Sequence, residues 1–62
     1  MTYRQAIEII YSLYPEATAS YEPGRGWRIL SDQAGSEYSI PLGPFRPDRE
    51  RAMILAAENL SK

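Results

Sequence analysis

The sequence has no cysteine and no histidine, and its one lysine is the last residue, Lys62. Without cysteine there is no disulfide staple, no thiolate nucleophile and no cysteine-bound zinc. Without histidine there is no imidazole base at neutral pH, hence no Ser-His pair and no zinc-histidine site. Serines stand at positions 12, 20, 31, 36, 39 and 61, but no lysine is placed to activate one. Charge of one sign is lacking too. Seven Lys and Arg against eight Asp and Glu leave a net −1, which gives no long-range field toward nucleic acid or an acidic membrane. No apolar run approaches the ~20 residues of a membrane span. The first residues pass directly into a helical pattern, so no leader peptide and a cytoplasmic location are expected.

What is present fits one small globular domain over residues 1–62. The hydrophobic fraction is 44% and the charged fraction 24%, both near the globular average, which argues against disorder. A chain this short buries only ~60% of the surface of its unfolded form, so its core is marginal. Five of the seven aromatic residues are tyrosines, and large rings must supply much of the buried area.

Thr2-Tyr3-Arg4-Gln5 has the form of a capping box, and Pro15 disfavours helical geometry at Tyr14, which places a helix between them. Tyr3, Ala6, Ile10, Leu13 and Tyr14 share one face of that helix. Ile7 and Tyr11 lie on its flank. Three alternating stretches then read as strands: Ala17 to Glu22, Trp27 to Leu30, and Tyr38 to Leu42. Pro23-Gly24-Arg25-Gly26 and Asp32-Gln33-Ala34-Gly35 supply the turns. Closing the first turn sets Tyr21 opposite Trp27 and Ala19 opposite Ile29. Closing the second sets Ile29 opposite Tyr38 and Trp27 opposite Ile40. Both registers gather one apolar face, leaving Thr18, Ser20, Glu22, Arg28, Leu30, Glu37 and Ser39 on a solvated one. After the rigid connector Gly43-Pro44-Phe45-Arg46-Pro47, Asp48 is an N-cap and a last helix runs from about Arg49 to Leu60. Met53, Ala56, Ala57 and Leu60 form its inward stripe, and Phe45 plugs the core edge. The expected fold is α+β in the order α-β-β-β-α, a three-stranded antiparallel meander with both helices packed on one face.

No catalytic, cofactor or metal site is expected. The carboxylates Glu8, Glu16, Glu22, Asp32, Glu37, Asp48, Glu50 and Glu58 are scattered over polar positions. A non-enzymatic binding module remains, docking through an exposed helix face or a sheet edge, and spare apolar residues point to the helix face. With the last helix facing inward through Met53, Leu55 points away and Ile54 sideways. Ile54, Leu55, Tyr11 and Ile7 are therefore the candidate interface for a protein partner or a homodimer. The alternative is nucleic-acid binding through Arg25, Arg28, Arg46, Arg49 and Arg51.

The element order, with Ala52 followed four and five residues later by Ala56 and Ala57, resembles the double-stranded-RNA-binding domain. That resemblance implies an α-β-β-β-α fold and recognition of duplex RNA by shape, with basic residues at the start of the last helix clamping phosphates. In Arg49-Glu50-Arg51-Ala52-Met53 only Arg49 matches a basic position of the motif. Glu50 and Met53 stand where lysines are expected, and Pro23-Gly24-Arg25-Gly26 lacks the family's histidine.

Overall fold

A computed structural model describes all 62 residues. Its elements are α1 (Tyr3–Leu13), β1 (Thr18–Glu22), β2 (Gly26–Leu30) and α2 (Arg49–Leu60). The fold is α+β, with a two-stranded antiparallel sheet. Both helix starts follow from their caps. Gln5 N–H donates to Thr2 Oγ1 at 3.1 Å while Thr2 N–H donates to Gln5 Oε1 at 2.9 Å, a reciprocal capping box. Asp48 Oδ1 accepts from Glu50 N–H at 3.0 Å. The β1–β2 hairpin has the register that the alternation requires, with Ala19 opposite Ile29 and Tyr21 opposite Trp27.

The helices pack on each other, and α2 also packs on β2. The core is built from Ala6, Ile10, Ala17, Ile29, Leu42, Ala52, Met53, Ala56 and Ala57. Small side chains dominate it, and only Ile10 and Ile29 are large and fully enclosed. Small residues let the chains approach closely. A Cβ on Gly43 would lie 3.0 Å from the Ala56 Cα, so the connector rests on the α2 backbone itself.

The expected third strand does not form. Residues 31–40 instead wind through local turns, in which short polar side chains satisfy the backbone in place of a ladder. Asp32 Oδ1 accepts from Gln33 N–H at 2.7 Å, Ser36 Oγ donates to Asp32 Oδ2 at 3.3 Å, and Ser31 Oγ accepts from Ile40 N–H at 3.0 Å. The chain returns along β2 only further on. Leu42 N–H donates to Ile29 C=O at 2.8 Å, so Leu42 takes the place beside Ile29 that the alternation assigned to Tyr38. Isolated bridges join Leu30 to Pro41 and Trp27 to Arg46. Prolines at 41, 44 and 47 remove every third N–H donor from this return segment, and a continuous ladder cannot be made.

The shift changes which rings are buried. Tyr38 is 77% exposed, Ile40 56% and Tyr21 55%, so none of them supplies the core. Leu30, expected on a solvated face, is buried where Pro41 bridges to it. Phe45 lies under the Arg28 guanidinium, 4.7 Å from its ring centroid. Since Arg28 alternates with Trp27 and Ile29, Phe45 covers the sheet face opposite the core instead of plugging the core edge. No helix is long and apolar enough to cross a membrane.

Candidate functional site

Strand β2 has neighbours on both sides, whereas β1 has one only on its inner side. The hydrogen-bond directions follow from the ladder. Trp27 exchanges both its backbone bonds with Arg46, at 2.7 and 2.8 Å, and Ile29 C=O accepts from Leu42. Those groups of β2 thus point away from β1. In an antiparallel pair the bonded positions alternate, so β1 is held through Thr18, Ser20 and Glu22, opposite Leu30, Arg28 and Gly26. The N–H and C=O groups of Ala19 and Tyr21 point outward along an open edge, and no other backbone group bonds to them. The edge carries no lysine, and its first proline is Pro23, beyond the strand. These are the residues that usually blunt an exposed edge.

At the hairpin end of the same sheet, arginines and aromatic rings meet. Tyr21 and Trp27 rings stand 5.2 Å apart and tilted by 56°. The Arg49 guanidinium lies 6.0 Å from the Trp27 ring, and those of Arg25 and Arg28 lie 5.7 and 4.7 Å from Phe45. Arg46 Nη1 donates to Phe45 C=O at 3.1 Å. Two ion pairs occur in the molecule, Arg4–Glu8 and Arg25–Glu22, both at 3.9 Å. Arg28, Arg46, Arg49 and Arg51 have no carboxylate partner, and Arg28 Nε is buried without an acceptor. A cleft of about 300 Å³ opens beside this cluster, lined by Tyr21, Gly24, Arg25, Gly26 and Pro47.

The structure thus sets Arg25 and Arg28 at the Phe45 ring on one sheet face and Arg49 near the Trp27 ring on the other, with Arg46 bonded to the Phe45 carbonyl. Arg51 is exposed on α2 with no recorded side-chain partner. The four apolar candidates are dispersed. Ile7 and Ile54 are half-buried and pack on the core, Leu55 is half-buried outside it, and Tyr11 is 40% exposed. The sequence admits an exposed sheet edge as a docking surface but does not say which strand presents it. The available signal was connectivity, since the first strand of a meander is an edge, together with the lack of blunting residues. No group of three or more acidic residues stands close enough to hold a metal ion. No protein-family model matches the chain, and no curated protein or solved structure matches it.

Proposed function

We propose that this chain is a small non-enzymatic protein-interaction module whose binding surface is the open edge of β1, and that its partner there is a second copy of itself. The supporting observation is the outward row of unpaired backbone groups on Ala19 and Tyr21. Such a row accepts an added strand, whose main-chain bonds supply affinity while side chains set register. The sequence of β1 is self-complementary. A two-fold axis through Ser20 sets Ala19 of one copy against Tyr21 of the other, so the outward groups of each meet those of its mate. The small Ala19 leaves room for the ring. Thr18 then stands opposite Glu22, and no like charges oppose each other. Five residues per strand make a small contact, so the dimer is weak and concentration-dependent.

The test is sedimentation of the wild type and Ser20→Glu over a wide concentration range. The substitution sets two carboxylates opposite each other on the axis, while Arg28, the cross-strand partner of Ser20, offsets the charge within one chain. The wild type is expected to dimerise as concentration rises, and the variant to stay monomeric with unchanged circular dichroism. A wild type monomeric throughout, or a variant that dimerises equally well, overturns the proposal.

A further inference from the structure

We infer that the β1 edge is framed at both ends, so that it admits a second copy in one register only and closes the assembly at two chains. This rests on the edge pairing proposed above and adds what fixes its register and its size. The frame comes from the residues that flank Ala19 and Tyr21 along the outward row. Outward groups recur at every second residue of a strand, so the next positions in the row are Ala17 and Pro23. Ala17 N–H is already engaged, donating to Tyr14 C=O at 3.0 Å in the turn that follows α1. Pro23 has no N–H, and Arg25 N–H donates to Glu22 C=O at 3.0 Å across it, so the chain leaves the strand there. The row therefore offers complete N–H and C=O sets on Ala19 and Tyr21 alone.

Each bonded position of an antiparallel pair exchanges two bonds and needs a free N–H on both sides. With Ser20 on the two-fold axis, Ala19 meets Tyr21 twice and both exchanges are complete. A slip of two residues one way sets Tyr21 against Ala17, and the other way Ala19 against Pro23. Neither Ala17 nor Pro23 can return the bond. The first slip also brings Glu22 against Glu16 of the other copy, like charges directly opposed. A slip of one residue sets Ala19 and Tyr21 against positions whose groups already bond β2. Side chains favour the same register. Tyr21 lies 5.2 Å from Trp27 and is 55% exposed. In the pair it gains Ala19 of the other copy as its second neighbour, in a row of Trp27, Tyr21, Ala19 and Ile29 across both sheets. Growth stops there. Pairing uses both outward rows, and the far margin of each sheet is the return segment, where Pro41, Pro44 and Pro47 lack donors.

The chain has no cysteine, so single cysteines read the register directly. Ser20 and its copy form a non-bonded pair with Cα atoms ~4.5 Å apart, which a disulfide spans, and a two-residue slip separates them too far. The experiment oxidises single-cysteine chains mildly and sediments the wild type alongside. Ser20→Cys is expected to link to itself, whereas Thr18→Cys and Glu22→Cys link only when mixed. Pro23→Ser restores the N–H. It is expected to add a second register, read as a link between Ser20→Cys and Glu22→Cys chains that is absent without it. No mass above the dimer is expected at any concentration. A wild type monomeric throughout, with no Ser20→Cys link, overturns the edge pairing and this inference with it. Four results overturn the frame alone: a wild-type dimer in which Ser20→Cys stays unlinked, a link from Ser20→Cys to Glu22→Cys with Pro23 intact, no new link in folded Pro23→Ser, or growth beyond two chains.

Discussion

Gly26 and Gly24 occupy the same turn with positive φ, 101° and 82°, but their surroundings differ. A Cβ on Gly26 would stand 2.5 Å from Arg46 C=O, the acceptor of the Trp27 N–H, whereas one on Gly24 meets nothing within 4 Å. Gly24→Ala is therefore expected to cost about 1 kcal/mol of conformational strain. Gly26→Ala adds a backbone clash, for a total of about 2 kcal/mol or more. Thermal melts should show Gly24→Ala lowered by about 4–8 °C and Gly26→Ala by at least about twice that. Equal shifts would mean that the Trp27–Arg46 bridge does not constrain the turn. Ile29 is the second decisive residue, being one of two large side chains fully buried. Ile29→Ala should cost about 2–5 kcal/mol. A chain of this length has a total stability of about 3–9 kcal/mol. The variant is expected to be substantially unfolded in urea concentrations that leave the wild type native. Tyr38→Ala, at 77% exposure, should stay within about 0.5 kcal/mol of wild type.

Among the elements, those governed by local chemistry were legible in the sequence. The Thr2–Gln5 box and Asp48 mark the helix starts where the structure has them. The first hairpin register follows from alternation and a Pro-Gly turn. Thr2→Ala should lower stability by about 1 kcal/mol, since it removes an N-cap acceptor, and Thr2→Ser should restore most of it. The third strand was misread for a reason of the same local kind. Tyr38-Ser39-Ile40-Pro41-Leu42 alternates like a strand, yet the Ser36 and Ser31 hydroxyls take its Tyr38 and Ile40 N–H groups, and Asp32 ties Gln33 and Ser36 into the turn before it. Periodicity registers which side chains could share a face, not which acceptors compete for the N–H groups. The arginine cluster was visible as a set of residues. That Arg25 and Arg28 rest at Phe45 and Arg49 near Trp27 depended on the return segment, whose path the alternation misplaced by four residues at Ile29 and by six at Trp27.

For the whole molecule, the accessible surface is 4121 Å², beside ~4,100 Å² for a folded monomer of 7.1 kDa. The radius of gyration is 10.5 Å, close to the ~10.5 Å of a compact chain of this length. The chain is thus as compact as a monomer should be, and the proposed association through β1 would add to a fold that does not depend on it. The most direct measurement is amide hydrogen exchange read residue by residue at low and high protein concentration. In the single chain, Ser20 N–H is already in the ladder, while Ala19 and Tyr21 N–H groups face outward. Protection at Ala19 and Tyr21 is expected to rise together with concentration, while Ser20 stays constant. Exchange at Ala19 and Tyr21 that is equally fast at every concentration, or protection that rises only on the helices, would contradict the proposed edge.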